Sequence, residues 1–437
     1  MKVFDKVRKK IHKYTTGRKN SAKANLPALV FMGITIASNA FADEKTPENT
    51  MVKVKGHALH MMSQGEGEFT VIFESGFGND LSHWRRVAPA ISQKAKVVIY
   101  SRAGAGLSEK ITTPRSLIES TQALNELIIR AKLKPPFILV GHSYGSHIVR
   151  TYAARNPQNI AGLVLVDPAN EQFISRLKQL NNIKTEKFLT VYEKMIPKRL
   201  QAESKILMAI DEKAALPDFG PLPDVPAAIL TSMVQEHPQF IIHSNEGKKI
   251  WRELHSKLFS QFTTARHLVT MNSGHNIATQ EPELVIESIN KVIEQASSLS
   301  QKQQISSAMA ETMALIEQSD YAAAEKLAFD FLTKSSLNDG QINALGYQYL
   351  STKNAEHNQL ILAKIILKYN MMNNQTSANV FDSYGEALLS LNNPQKAKLQ
   401  FLQAIRLMEL KDKEHRTIKG FKANLAKAQL AIESTKK

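Results

Sequence analysis

Residues 137–150, FILVGHSYGSHIVR, decide the fold of this chain. The first four are apolar and predict a short buried strand, and the residues from Ser146 onward predict a helix. Between these elements, Ser143 stands two residues after Gly141 and two before Gly145. A serine in so sharp a strand-to-helix turn projects its hydroxyl above the sheet, and flanking glycines remove side chains that would collide there. The stretch therefore predicts an α/β fold that presents Ser143 as a nucleophile, with a helix N-terminus beneath a developing oxyanion.

Apolar strands alternate with helical segments over residues 50–295. Continuous apolar strands separated by helices are typical of a parallel sheet covered on both faces. One connection, 168–225, is too long for a simple loop and begins with helical spacing, so it predicts a small helical cap over the carboxyl edge of the sheet. The predicted strands are 70–73, 96–100, 137–140, 163–166, 227–230 and 267–271.

His275 is the histidine whose place in the chain fits a general base. It follows the last predicted strand and precedes a helix that begins near Glu281. The order of nucleophile, acid and histidine is the one that a strand–turn–helix nucleophile requires. A histidine there would take the proton of the Ser143 hydroxyl. A histidine in a surface loop is the alternative interpretation.

Two residues are candidates for the acid that orients His275. Asp167 follows the strand 163–166, at the sheet edge where sites lie in parallel α/β folds. Glu236 comes after the next strand, in a region that contains no aspartate. The sequence favours Asp167 and keeps Glu236 as the alternative acid. A helix cap or a structural turn would also explain Asp167.

Two backbone N–H groups are predicted to form an oxyanion hole. One belongs to Tyr144, directly after Ser143. The other lies in the loop 74–78, ESGFG, where glycines let the backbone approach a substrate oxygen closely. We assign it to Phe77, with Gly76 as the second choice.

The chain after residue 303 is helical in pattern and repeats itself. Residues 378–407 place small and large side chains where two antiparallel helices would touch, and a longer copy precedes them. This is typical of tetratricopeptide repeats, with an unrelated helical bundle as the alternative. We therefore predict a repeat domain over 304–437, after a polar linker at 296–303. Its surface could serve a protein or peptide partner, or self-association.

The first 42 residues predict an export signal. They hold nine Lys and Arg residues and one acidic residue, with an apolar stretch of 12 residues at 26–37. Small residues at positions 40 and 42 fit a signal peptidase, so we expect cleavage before Asp43. The expected location is periplasmic or secreted, in a Gram-negative bacterium. An uncleaved inner-membrane anchor is the alternative, although the apolar stretch is short for a span.

Composition excludes several classes of site. The chain has no cysteine, so disulfides, thiolate catalysis and cysteine-based zinc sites are ruled out. No His-x-x-x-His helix or comparable cluster appears, and we expect neither metal nor other cofactor. Half of the net charge of +16 lies in the first 42 residues, and no later basic run predicts nucleic-acid binding. The segment 102–106, RAGAG, lacks the third glycine of a dinucleotide fingerprint and predicts a turn that lines the site entrance.

Over about residues 50–295 the chain resembles the α/β-hydrolase superfamily. The landmarks, in the family's order, are VIFESGFGNDLSHW (71–84), VIYSRAGAGLSE (98–109), GHSYGSHIVR (141–150), GLVLVDPA (162–169) and NSGHNIATQEPELVIESI (272–289). Gly145-Ser146 stands where many members have two glycines, and no aspartate follows residue 231 where many place the acid. Residues 377–393, SANVFDSYGEALLSLNN, are similar to tetratricopeptide-like tails of some secreted bacterial hydrolases.

The resemblance implies an α/β-hydrolase domain over 43–298, with a mostly parallel sheet and the cap 168–225 as an insertion. It also implies a serine hydrolase that cleaves a small ester or amide-type carbonyl substrate through an acyl-enzyme. Two alternatives stay open. One is a non-catalytic binding or scaffold protein that acts through its helical repeats. The other is an enzyme of this fold with different chemistry, such as perhydrolysis or C–C bond cleavage.

Overall fold

The computed structural model describes residues 47–113, 115–218, 220–351, 355–411 and 416–435. Thr46–Lys437 form a compact unit. The predicted signal segment and its cleavage site lie outside the described residues. Within the described ranges, no helix combines the length and the apolar character that a bilayer span requires.

An eight-stranded sheet forms the centre of the described chain. Its strands are β1 (Glu48–Val54), β2 (His57–Gln64), β3 (Thr70–Glu74), β4 (Lys96–Tyr100), β5 (Phe137–His142), β6 (Ile160–Val166), β7 (Ala227–Ser232) and β8 (Ala265–Thr270). They lie in the order β1-β2-β4-β3-β5-β6-β7-β8. Strands β3 to β8 run parallel, whereas β1 and β2 add to one edge in antiparallel fashion. This confirms the mostly parallel sheet.

The sequence prediction found the parallel strands and missed the edge hairpin of β1 and β2. Most of β1 is exposed and therefore has no apolar run, and in β2 His60 interrupts the apolar residues. Lys55 and Gly56 form the turn between the strands, with φ values of 48° and 82°. Positive φ at both residues suits a two-residue hairpin, but the Lys-Gly pair is a weaker sequence signal than Asn-Gly or Asp-Gly.

Helices cover both faces of the sheet. The helices up to the end of α8 are α1 (Ala88–Ile91), α2 (Leu117–Arg130), α3 (Gly145–Arg155), α4 (Phe173–Met195), α5 (Gln201–Lys213), α6 (Asn245–Phe259), α7 (Ile277–Gln280) and α8 (Pro282–Glu317). Buried apolar side chains form a first cluster, in which α2 and α3 pack against one face of the sheet, and a second cluster, in which α1, α7 and α8 pack against the other face. Along β5, Leu139 belongs to the first cluster, whereas Ile138 and Val140 belong to the second. Burial on both faces explains why these strands are apolar throughout.

The described part of the connection 168–225 contains the helices α4 and α5, as the sequence predicts for a cap. Asn181 interrupts α4 with φ −159° and ψ 96°, and its side-chain oxygen accepts a hydrogen bond from the Lys184 N–H at 2.9 Å. This bond restarts the helix in the manner of an N-cap. Side chains from α4 and α5 line a cavity that also contains Ser143, so the cap lies over the carboxyl edge of the sheet.

Helix α8 runs without a break through residues 296–303, where the sequence predicts a polar linker. That part of the prediction is wrong because the stretch contains no glycine or proline, and its polar residues are simply the exposed middle of a long helix. Val292 of the first half packs on the sheet, whereas Ile316 of the second half packs among the later helices. These are α9 (Tyr321–Lys334), α10 (Asp339–Leu350), α11 (His357–Asn373), α12 (Ala378–Ser390), α13 (Pro394–Lys411) and α14 (Thr417–Ser434).

Small residues lie where consecutive C-terminal helices approach each other. A Cβ atom at Gly346 would lie 2.6 Å from the Leu367 side chain, and one at Gly385 would lie 2.5 Å from the Phe401 ring. Both contacts are too short for any residue larger than glycine without a shift of the neighbour. These are positions on which the tetratricopeptide assignment depends. That assignment and the bounds 304–437 stay predictions.

Candidate active site

Ser143 lies in the sharp turn between β5 and α3, with a left-handed φ of 51°. Such a value is uncommon for a residue other than glycine and is kept only where the surroundings fix it. The flanking glycines are needed for space, because a Cβ at Gly141 would lie 2.6 Å from Val149 and one at Gly145 would lie 2.4 Å from the Glu74 carbonyl oxygen. The turn therefore has the strained form that exposes a nucleophile.

Ser146, which replaces a glycine found in many α/β-hydrolases, fits this turn without strain at its own position. Its side chain is fully buried, and its hydroxyl donates a hydrogen bond to the Gly141 carbonyl at 3.0 Å. The departure from the family pattern thus adds a bond across the turn and leaves its geometry intact.

Ser143, His275 and Asp167 lie in hydrogen-bond contact after the carboxyl ends of β5, β8 and β6. The Ser143 Oγ atom is 2.9 Å from His275 Nε2, and His275 Nδ1 is 2.7 Å from Asp167 Oδ2. A carboxylate only accepts hydrogen bonds, so Nδ1 donates to Asp167 and Nε2 is left to accept from the serine hydroxyl. This is the tautomer that a base for Ser143 requires. The structure thus brings together the three residues that the sequence favours.

Glu236, the alternative acid, lies beside the backbone of His275. Its carboxylate accepts a hydrogen bond from the His275 N–H at 3.1 Å. It also fills the space next to Gly274, where a Cβ would lie 2.2 Å from the Glu236 Oε1 atom. Because Asp167 occupies the ring Nδ1, Glu236 is placed to hold the histidine loop and not to orient the imidazole.

Asp167 is 1% exposed and accepts hydrogen bonds on both oxygens. The Trp251 indole N–H donates to Oδ1 at 2.8 Å, and the Ser232 backbone N–H donates to the same atom at 2.9 Å. The other oxygen faces His275. Trp251 was missed by the sequence prediction, because nothing in the spacing of α6 shows which side chain would reach across to the end of β6.

Asp167 stays ionised in spite of its burial. Burial alone would raise the pKa of this carboxyl, but the hydrogen bond and charge of His275 lower it to about 2, assisted by His255 and Lys248. The Lys248 ammonium, which donates to the Ser232 carbonyl at 3.0 Å, is nearly buried as well. A carboxylate fixed in this way can stabilise an imidazolium at His275 and does not take up its proton.

The loop 74–78 lies against the nucleophile. A Cβ at Gly76 would be 3.2 Å from the Ser143 Cβ, so glycine lets the backbone of this loop pass close to the nucleophile. Among the described residues, the backbone N–H groups of Gly76, Phe77 and Tyr144 donate to no backbone acceptor. The assignment of Tyr144 and Phe77 as oxyanion donors, with Gly76 as the second choice, stays a prediction.

Arg102 is the partly buried link between this loop and the cap. Its guanidinium donates to the Ser75 and Gly76 carbonyls at 2.5 and 2.9 Å. The same group pairs with Glu74 at 2.7 Å and with Glu203 of the cap helix α5 at 3.1 Å. The turn after β4 was predicted to line the entrance, but the role of its arginine was not, because a turn pattern does not show where a long side chain points.

A cavity of about 470 Å³ opens above Ser143 and His275, beneath the cap. This volume suits a small-molecule site. Within the described ranges, no three His, Asp or Glu side chains come together as metal ligands. Most of the wall is apolar, with Phe173, Phe188, Leu189, Met195, Leu207 and Phe240 among its residues.

Comparison with known proteins agrees with this architecture. The family model of the alpha/beta hydrolase fold matches residues 70–203. The uncharacterized protein YqjL of Bacillus subtilis (strain 168) is 29% identical over 234 residues, which are 53% of this chain and 87% of that protein. An AB hydrolase superfamily protein of Gibberella zeae is 28% identical over 134 residues, which are 30% of this chain and 40% of that protein.

Solved structures give weaker likenesses. Carboxylesterase CesB from Bacillus subtilis has 14% identity and a TM-score of 0.39, covering 56% of this chain and 91% of that one. A thermophilic esterase from Thermogutta terrifontis has 17% identity and a TM-score of 0.39, covering 57% of this chain and 99% of that one. The family model and the parallel sheet together show that this chain contains an α/β-hydrolase fold, followed by a helical region.

Proposed function

We propose that the protein is a serine hydrolase that cleaves esters or amides through an acyl-enzyme on Ser143. The observation that carries this proposal is the unbroken pair of hydrogen bonds from Ser143 through His275 to Asp167, at the floor of a cavity sized for a small ligand. Residues 1–42, basic and then apolar, support an exported location for this enzyme.

In the proposed reaction, His275 Nε2 takes the Ser143 proton while the serine oxygen attacks the substrate carbonyl carbon. The N–H groups of Phe77 and Tyr144 stabilise the oxyanion of the tetrahedral intermediate. The imidazolium, held by Asp167, then gives its proton to the leaving alcohol or amine as the carbonyl re-forms. Water, activated by the same histidine, releases the acid product and frees Ser143.

A substrate panel tests this proposal on the full-length protein. We expect 4-nitrophenyl esters of two to eight acyl carbons, or aminoacyl 4-nitroanilides, to be hydrolysed, with the carboxylic acid identified by mass spectrometry. An enzyme of the same fold with different chemistry would give other products, such as a peracid when peroxide is present. Absence of turnover across the panel would favour a non-catalytic binding protein.

Replacing Arg102 by lysine is expected to lower kcat by about 10²-fold and to change KM far less. A guanidinium holds its donors in a fixed fork that bonds two carbonyls and two carboxylates at once, and a lysine ammonium cannot do this. The loop 74–78 therefore loses its position. A misplacement of about 1 Å in such a site costs on the order of 10²-fold. Steady-state kinetics on 4-nitrophenyl butyrate measure this, with the exposed Arg130→Lys as the matched control. A kcat of Arg102→Lys equal to that of wild type would contradict the role of Arg102 in holding the loop 74–78.

A further inference from the structure

The cavity above Ser143 has a second polar wall that the proposed reaction does not use. Asp211, in the last turn of α5, and His147, on α3, both line this cavity. Tyr192 of the cap lies near this wall as well, where burial raises the pKa of its phenol and the charge of Asp211 adds to this shift. The wall therefore combines two polar side chains with an otherwise apolar surround.

Neither polar side chain is satisfied by the protein. His147 is 1% exposed, and its Nδ1 atom has no hydrogen-bond partner in the described part of the chain. The Asp211 carboxyl likewise makes no hydrogen bond or ion pair with any residue that the structure describes. Asp211 is half-buried, and a carboxyl at a cavity wall without a protein partner is free to pair with a ligand.

Two acidic residues, Asp211 at this wall and Glu171 beside His147, differ in their counter-charge. Glu171 lies 3.8 Å from His147 Nδ1, but its own charge is paired, because both its oxygens contact the Arg150 guanidinium at 2.9 and 3.1 Å. Asp211 has no such counter-charge. Burial raises the pKa of Asp211 to about 7, and the neighbouring Glu171 adds to this shift.

His147 is neutral and can accept a hydrogen bond. Burial lowers its pKa to about 3, and the nearby charge of Arg150 acts in the same direction. With the ring proton on Nδ1, which faces the Glu171 carboxylate at 3.8 Å, Nε2 is the ring nitrogen left to accept. The wall thus offers an imidazole nitrogen and, above about pH 7, a carboxylate, which are two acceptors.

The remaining charged groups of the cavity are already engaged. The Lys248 ammonium donates to the Ser232 carbonyl, and the Glu236 carboxylate accepts from the backbone of His275. They lie on the side of the cavity that holds Asp167 and His275. Asp211 is therefore the acidic group that a ligand in this cavity can meet unpaired.

We propose that Asp211 and His147 form a subsite for a cationic nitrogen, so that the preferred substrates are esters or amides that carry an amine remote from the reacting carbonyl. An anionic group would be repelled by the unpaired Asp211. An apolar group would leave both acceptors desolvated and unpaired. An ammonium group donates to both acceptors and supplies the missing counter-charge. This inference deepens the proposed function, on which it rests.

Two esters of equal length test the subsite with the full-length enzyme. 4-Nitrophenyl 6-aminohexanoate carries an ammonium group where 4-nitrophenyl heptanoate carries a methyl group. We expect wild-type kcat/KM to favour the aminohexanoate by about tenfold or more, as for hydrogen bonds to charged groups. Asp211→Asn should remove this preference, mainly by raising KM for the aminohexanoate, and should leave the heptanoate within about threefold.

Glu212, the exposed neighbour of Asp211, supplies the control. Glu212→Gln also removes one carboxylate from the same helix, but outside the cavity. It should leave both esters unchanged. An equal loss of kcat/KM for both esters in Asp211→Asn, which leaves the ratio of the two kcat/KM values unchanged, would overturn the subsite.

A binding measurement separates this inference from the proposed function. Calorimetry should show that hexylammonium binds wild type more tightly than Asp211→Asn, and that 1-hexanol does not distinguish the two proteins. Binding that depends on Asp211 without turnover of either ester would support the subsite and refute the hydrolase. Turnover of both esters without any effect of Asp211 would refute the subsite alone.

Discussion

Replacing Ser143 by alanine is expected to lower kcat on 4-nitrophenyl butyrate by about 10⁶-fold. The serine oxygen is the atom that forms the acyl bond, so its loss leaves a residual rate that comes only from the oxyanion donors and substrate binding. Steady-state kinetics measure this on protein whose thermal unfolding matches wild type. Ser256→Ala, at an exposed position on α6, is the matched control and should retain wild-type kcat. A Ser143→Ala variant within about 100-fold of wild type would rule out the acyl-enzyme route.

Replacing Asp167 by asparagine is expected to lower kcat by about 10⁴-fold near neutral pH. The Asn side chain can still accept from Trp251 and Ser232, which now donate to Oδ1. Its amide N–H₂, however, would face the His275 Nδ1 and force the ring proton onto Nε2, where it blocks acceptance from Ser143.

Glu236→Gln is the matched comparison for Asp167→Asn, since both replace a carboxylate next to His275 by an amide. A glutamine oxygen can still accept the His275 backbone N–H, so we expect kcat to fall by less than about tenfold. A larger loss of kcat in Glu236→Gln than in Asp167→Asn would show that Glu236, and not Asp167, is the acid that orients His275.

Stability gives a second readout for Asp167→Asn. The pKa of Asp167 is about 2 in the folded protein, below the ordinary value of 3.8, so its ionised form contributes about 2 kcal/mol to folding. Because the folded pKa is the lower one, this contribution is present above pH 3.8 and is lost as the pH falls through 2. Urea unfolding should therefore show the gap between wild type and Asp167→Asn shrinking between pH 6 and pH 2.

The inner strands of the parallel sheet could be predicted because they are buried on both faces and therefore stand out as apolar runs, whereas β8 at the edge is half-buried. The edge hairpin could not, because an exposed strand such as β1 has no such run. The prediction of a linker at 296–303 was wrong for a related physical reason. Polar residues without glycine or proline fit both a linker and the exposed middle of a helix, and only packing at both ends of α8 decides between them.

Ser143, His275 and Asp167 could be chosen from the sequence because each follows a strand of a parallel sheet, and such strand ends meet at one edge. Their contact depends also on the turns that follow these strands, since Glu236 follows a strand end as well and bonds the His275 backbone instead. Arg102 and Asp211 depend instead on where a long side chain points and on how the cap folds over the sheet. No local spacing carries that information, so these two residues emerge only from the three-dimensional arrangement.

Mass spectrometry of the full-length protein after reaction with a fluorophosphonate tests the central claim most directly. A hydroxyl activated by His275 attacks phosphorus, displaces fluoride and retains the phosphonyl group, so we expect a single adduct, which peptide mapping assigns to Ser143 and which Ser143→Ala lacks. No adduct on wild type, or an equal adduct on Ser143→Ala, would show that the serine turn of this fold is not a working nucleophile.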